Sequence, residues 1–506
     1  MDSAIIVLYL AGMVAFGWWG KRKTNSTSDY LVAGRRLGPA LYTCTMSAMV
    51  IGGASTLGGV GLGYQYGLSG MWLVTSIGVG VLVLGLCFAA RIQRLKIYTV
   101  SEMLQLRYGS KGTAGSGLVM LAYTLMLTTT STVAYATIFT VMFDMSRITA
   151  VVIGGLVVVA YSSMGGMWAI TLTDMVQFIL KSVGIFALLL PFTWNRAGGL
   201  QGMSDRLDDS AFSLTTIGGG TIVTYFVVYS FGMIIGQDAW QRIFTARSPQ
   251  VARWGGAVTG IYCLLYGLAG ALIGMGAKVI MPNISVPDDV YADIAFDVLP
   301  VGISGIVLAA AVAAMMSTAS GSLLAAATVC RADVMPIIRR ALQLPPVKIE
   351  TSDAEADVRG NRAYVVGLGV ISIGLSIAIT DIIAALTIAY DILVGGLLVA
   401  IVGGLVWKRG TAPAATSSML VGAATTLITM WIVGDITANE PIYAGLIASL
   451  AVYVVVSLLT PHTDAEVARQ WAARVSASTT RQAEDTQLAE PSKTVAATGT
   501  RSGEST

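Results

Sequence analysis

The chain has 506 residues, 55% of them hydrophobic and only 12% charged, with a mean hydropathy of +0.73. A soluble protein carries about twice that charged fraction, so an ordinary soluble domain is excluded, and a formal charge of +3 is too small to suggest nucleic acid. The one histidine, His462, lies in a polar tail, and Cys44, Cys87, Cys263 and Cys330 form no CxxC pair. That leaves no histidine metal site, Ser–His triad, zinc site or disulfide framework to read.

Apolar runs of about 20 residues separated by short polar loops predict an all-α polytopic membrane protein. In chain order the runs are 3–19, 40–66, 71–90, 115–142, 147–162, 169–193, 214–237, 254–280, 303–330, 363–382, 384–406, 413–433 and 440–459, which makes about thirteen transmembrane helices. The first follows Asp2 and precedes Lys21, Arg22 and Lys23, a charge order that favours a retained anchor with its N-terminus outside. Alternate loops then carry the basic residues: Arg35 and Arg36; Arg91, Arg94, Lys96 and Arg107; Arg242, Arg247 and Arg253; and Arg331, Arg339, Arg340, Arg359 and Arg362. This positive-inside pattern puts the C-terminus in the cytoplasm and the protein in a cell membrane, a bacterial inner or plasma membrane. The loop 341–362 reads as polar and mobile. The stretch 461–506 reads as a disordered cytoplasmic tail, with a helix at 464–476.

Two runs carry glycine in their middle. The 40–66 run has Gly52-Gly53, and the 214–237 run, five spans later and entering from the opposite side, has Gly232 and Gly236. Opposed, interrupted helices one set of five apart are what an inverted repeat would give. The run 303–330 adds Ser317, Thr318 and Ser320 at membrane depth among Ala and Gly, small residues that let another helix approach closely. A helix releases carbonyls only where it unwinds, and Gly52-Gly53 permits that after Ile51. The carbonyls of Ala48, Ile51 and Ala314, with the hydroxyls of Ser317 and Thr318, would make a five-oxygen cage for a small cation. On these residues alone the plainer reading has the first claim: hydroxyls bonded back to their own helix.

Two acids stand inside apolar runs. Asp174 is either a water-exposed end-of-helix residue or part of an ion pathway, and Asp391 is a gate partner, a proton-titrating group or a counter-ion to a cationic substrate.

Four motifs add to this: SAMVIGGAST at 47–56, GGMWAITLTDMVQ at 165–177, GQDAWQRIFTARS at 236–248 and AMMST at 314–318. In order and spacing, from about residue 28 to 460, the chain resembles the sodium:solute symporter family. The resemblance implies a LeuT-type core of two inverted five-helix repeats with two broken helices. The chain would divide into an extra helix and loop at 1–39, repeats at 40–212 and 213–410, extra helices at 411–460, and the tail at 461–506. It implies sodium as the coupling ion, held at Ala48, Ile51, Ala314, Ser317 and Thr318. A second sodium would use Asp174 and Ser320, although Gly321 stands where a further hydroxyl is expected.

The resemblance places a substrate site at Gly52, Gly53, Ser55, Gly232, Gly236 and Gln237, with Tyr123 and the run from Thr128 to Thr132 beside it. Tyr225, Tyr229, Tyr390 and Asp391 are gate candidates, and Gln241-Arg242 reads as structural or as inner gate. The expected activity is sodium-coupled import of a small organic solute by alternating access. Amino acid, carboxylate or quaternary amine is favoured over sugar, because Gly236 replaces a polar contact of sugar carriers. The partners expected are that solute and the lipid bilayer, with no nucleic acid and no obligate protein partner. The rivals are a proton-coupled carrier of the same fold, in which Asp174 or Asp391 titrates, and a transporter-like nutrient sensor. No clustered catalytic set suggests an enzyme.

Overall fold

A computed structural model describes residues 2–109, 114–345, 353–379, 381–435 and 438–476, and among these it is built from helices without a strand. Helix is what an apolar solvent demands, since each backbone donor and acceptor must be satisfied within the segment. Where helices emerge into polar surroundings, side chains take over that duty. Ser146 and Ser248 accept from the amides of Thr149 and Val251 and so start Arg147–Ser182 and Pro249–Ile280.

By length and apolarity ten helices qualify as membrane spans, or eleven when the bent pair Gly219–Ile235 and Gln237–Thr245 counts as one. That is short of thirteen, and the difference has a physical source. Two continuous helical runs, Ala54–Arg94 and Arg147–Ala197, are 41 and 51 residues long. At about 1.5 Å per residue each is longer than one crossing of a core about 30 Å thick. Each run contains a glycine whose backbone leaves the helical region: Gly67 (φ 64, ψ −140) and Gly166 (φ 53, ψ −136). Contacts with the first helix, Asp2–Lys21, show the chain turning back at Gly166. Tyr161 lies against Gly17 and Ala169 against Gly20, whereas Gln177 has returned to Tyr9 and Met13.

The centre of the molecule is Ile303–Val329, in which nearly every residue is buried. Its Ala, Gly and Ser side chains allow neighbouring helices to pack closely on all sides. The outlying helices Ala412–Val433 and Glu440–Leu459 pair with each other and expose Leu420, Ile428, Trp431, Ile447 and Leu450, an apolar surface suited to lipid. The helix Ala354–Ala378 begins nine residues before the expected start at 363, which corrects the reading of 341–362 as a loop. Asp353 caps it by accepting from the Ala356 amide, and Asp357 pairs with Arg331 at 3.2 Å. Residues 346–352 of that expected loop lie outside the described residues, as do 477–506 of the tail. The expected short helix is present as Ala465–Ser476.

Candidate functional site

Both predicted helix interruptions exist. Pro39–Val50 ends at Ile51 (φ −90, ψ 91), and helix resumes past Gly52. Gly219–Ile235 ends at Gly236 (φ −62, ψ 131), and Gln237–Thr245 continues at 42° to it. A helix end leaves carbonyls without intrahelical partners on one side and amides on the other. At the first break those carbonyls face the central helix Ile303–Val329.

There the five residues expected to hold sodium do meet. Ser317 Oγ lies 2.7 Å from the Ala48 carbonyl and 2.8 Å from that of Ala314. Thr318 Oγ1 donates to the Met49 carbonyl at 2.6 Å and stands 3.4 Å from Ala314. The centre of the group is a side chain the sequence reading passed over. Lys181 Nζ donates to the carbonyls of Ser47 (2.8 Å), Ala48 (2.9 Å) and Ile51 (3.3 Å), fully buried. The signal was in the sequence: an intramembrane lysine in the 169–193 run is costly and calls for a partner. Its partner, a helix end that unwinds only in the tertiary structure, was harder to see.

The second expected cation site has a similar outcome. Asp174 is completely buried, which corrects the water-exposed alternative, and its Oδ2 accepts from the Thr45 hydroxyl and from Arg242 Nη2 at 3.0 Å. Ser320 bonds to the Ser317 carbonyl at 3.1 Å instead. Gly321 is explained by the same pair: a Cβ there would come within 2.8 Å of Arg242 Nη2. The residue lacking the expected hydroxyl makes room for a guanidinium. Gln241 is structural, donating to the Leu31 carbonyl at 2.8 Å and to Thr328 Oγ1 at 3.0 Å.

Between the two breaks lies a narrow cavity of about 30 Å³, lined by Gly52, Gly53, Ser55, Thr130, Ser131, Thr318, Asp238 and Tyr390 together with apolar Met49, Ile77, Leu127, Met233 and Leu386. Gly52, Gly53 and Ser55 are thus where they were expected. Gln237 is not, because its side chain is used elsewhere: it accepts from the Val100 amide at 2.8 Å and donates to the Tyr98 carbonyl at 2.9 Å. Gly232 is also outside the lining; its Cα faces the Tyr390 ring, which a Cβ would meet at 2.0 Å. Gly236 forms the break and stands beside Asp238 and Tyr123. Asp238, missed as a lining residue, accepts from the Tyr123 hydroxyl at 2.8 Å.

The gate candidates form a continuous aromatic stack. Ring centroids are 5.5 Å apart for Tyr225–Tyr229, 5.4 Å for Tyr229–Tyr390 and 5.4 Å for Tyr390–Tyr123. A second cavity, lined by Thr221, Tyr225, Tyr229, Thr387, Asp391 and Asn439, lies beyond the stack. Asp391 is buried there with neither carboxylate oxygen hydrogen-bonded. The tyrosines therefore stand between a narrow central space and a separate, wider vestibule.

Residues 30–422 match the model of the sodium:solute symporter family. The chain is 25% identical to the osmoregulated proline transporter OpuE of Bacillus subtilis, covering 91% of this chain and 96% of that one. It is 26% identical to the sodium/pantothenate symporter of Escherichia coli, covering 89% and 95%. In structure it resembles a substrate-bound, outward-open Na+-coupled sialic acid symporter, with a TM-score of 0.78 at 16% identity over 92% of this chain and 98% of that one. The architecture is the LeuT type, with two inverted repeats and two broken helices.

Proposed function

The chain belongs to the sodium:solute symporter family, and from that premise we propose that it is a secondary active transporter importing a small organic solute by alternating access. It is a carrier and not an enzyme, and family membership supports sodium-coupled symport in general terms. The observation that carries the reading is the central cavity held between two helix breaks and separated from the vestibule by stacked tyrosines. One face then opens while the other closes, as rocking of the two repeats about a fixed midplane site requires. The positive-inside pattern supports an outside N-terminus, a cytoplasmic C-terminus and a cell membrane.

The lining favours a solute with both charges over a sugar. The helix resumes at Gly53, and its first residues Gly53, Ala54 and Ser55 line the cavity, so the positive end of its dipole lies there, which suits a carboxylate. Asp238 supplies a negative group suited to an amine or quaternary nitrogen. The remaining wall mixes apolar Met49, Ile77, Leu127, Met233 and Leu386 with the hydroxyls of Ser55, Thr130, Ser131, Thr318 and Tyr390, so the preference over a sugar rests on the two charged ends. The proline and pantothenate carriers among the relatives support a carboxylate-bearing solute. A monovalent cation moving down 100 mV supplies about 2.3 kcal/mol toward uphill uptake.

The test is tracer uptake into proteoliposomes, comparing proline, pantothenate, glycine betaine and glucose under imposed ion gradients. Concentrative uptake of a carboxylate-bearing solute, abolished by Asp238→Asn for the zwitterionic members of the panel, proline and glycine betaine, is the expected result. Concentrative glucose uptake alone would overturn the substrate class, and equilibration without accumulation of any solute would overturn secondary active transport.

A further inference from the structure

Lys181 stands where the coupling sodium was expected, and the geometry bears on whether an ion can also be there. The C-terminal end of Pro39–Val50 is a site of negative potential, because its last carbonyls lack intrahelical donors and the helix dipole ends there. Something positive or hydrogen-bond donating must cover those carbonyls inside a membrane. In this chain, protein groups cover those of Ser47, Ala48, Met49 and Ile51. The ammonium directs its three donors at the carbonyls of Ser47, Ala48 and Ile51, Ser317 takes a second lone pair of Ala48, and Thr318 takes Met49. An ion bound to the carbonyls of Ala48 and Ile51 would have to sit where Nζ sits.

We propose that Lys181 is a built-in replacement for sodium at this junction, so that the chain carries its solute without binding sodium there. The second candidate site supports the same reading independently. Its only acid, Asp174, is neutralised by Arg242, and Gly321 leaves the room that the guanidinium fills. Both positions that would take a sodium ion thus hold a cation that is part of the chain. The consequence is mechanical. A diffusible ion couples the broken helix to its neighbours only when bound, so its arrival shifts the population of states. A tethered ammonium joins the break to the sixth span at every stage of the cycle. Sodium arrival at this junction therefore does not set the outward–inward equilibrium.

The experiment has a binding arm and an uptake arm; only the uptake arm rests on the carrier reading, so the two can fail separately. In the binding arm, thermal unfolding of purified wild type, Lys181→Ala, Lys181→Met and Ser317→Ala/Thr318→Ala is followed in sodium against potassium chloride at equal ionic strength. The expected result is no sodium-specific shift in wild type, and a sodium-specific rise in the unfolding midpoint of Lys181→Ala, whose shortened side chain frees the carbonyls. Lys181→Met, which fills the volume without freeing the carbonyls, should show no such rise, and should Lys181→Ala not fold, the equally short Lys181→Ser takes its place. In the uptake arm, wild-type transport proceeds equally with potassium in place of sodium. A sodium-specific stabilisation of wild type that vanishes in Ser317→Ala/Thr318→Ala would overturn the proposal. A stabilisation that survives the double substitution would put the ion elsewhere and leave Lys181 as the occupant of this site.

Discussion

Removing one member of the buried Asp174–Arg242 pair should destabilise the protein far more than removing both. The two groups are 3.0 Å apart and at most 1% exposed. At an effective dielectric of about 20, that separation corresponds to about 5.5 kcal/mol of attraction. Dehydrating two ions costs several kcal/mol each, so the pair adds little net stability. A lone survivor is different, because it keeps the dehydration cost and loses the attraction, about 3–5 kcal/mol. Over 506 residues, with an unfolding entropy of about 2.1 cal/mol/K per residue, that is a fall of roughly 3–5 °C in the midpoint. Asp174→Asn and Arg242→Met should each show it, and Asp174→Asn/Arg242→Met should lose much less than the sum of the two. The assay is thermal unfolding of the purified protein in detergent, read as a double-mutant cycle. Strict additivity, or two silent single variants, would refute the argument that these charges depend on each other.

Three further predictions follow from particular contacts. Gly52→Ala would put a Cβ 2.6 Å from Thr318 Oγ1, forcing the first break away from the central helix; uptake should be lost, and a variant transporting at the wild-type rate would show that this contact is not needed. Tyr229→Ala should open the aromatic stack between the two cavities, so a cysteine placed at Ser55 should react faster with a water-soluble thiol reagent than it does behind the intact stack, once the reaction of the four native cysteines is subtracted. In the loop between Pro249–Ile280 and Ile303–Val329, burial first, then the charges of Asp381 and Asp289, raise the Asp288 carboxyl from 3.8 to about 6. The folded state then holds that proton more tightly than the unfolded one, so its contribution is fully present below about pH 4 and is lost as pH rises through about 6; Asp288→Asn should flatten this part of the stability–pH profile.

Much of the architecture could be read from residue order because the bilayer makes simple demands. Length and apolarity mark helices, and glycine marks where a helix can be interrupted. The breaks at Ile51–Gly52 and Gly236 followed from those local properties, whereas the meeting of Ala48 with Ser317 was implied by the family resemblance. The span count was less secure, because Gly67 and Gly166 redirect the chain without a polar loop to announce it.

What occupies the site was decided only in three dimensions. Lys181 is 130 residues from Ile51, and Arg242 is 68 from Asp174. Spacing along the chain says nothing about such pairs, and a motif that lists oxygens cannot say whether an ion or an ammonium sits among them. Gln237 illustrates the same limit: it adjoins the break, yet its amide is spent on Val100 and Tyr98. The sequence by itself determined that this is a helical membrane protein with interruptible helices, because those features depend on local apolarity and backbone freedom, and its motifs added the resemblance to a family of carriers. Tertiary packing decided which cation sits at the first break, because a buried charge is settled by whichever partner the fold brings within reach.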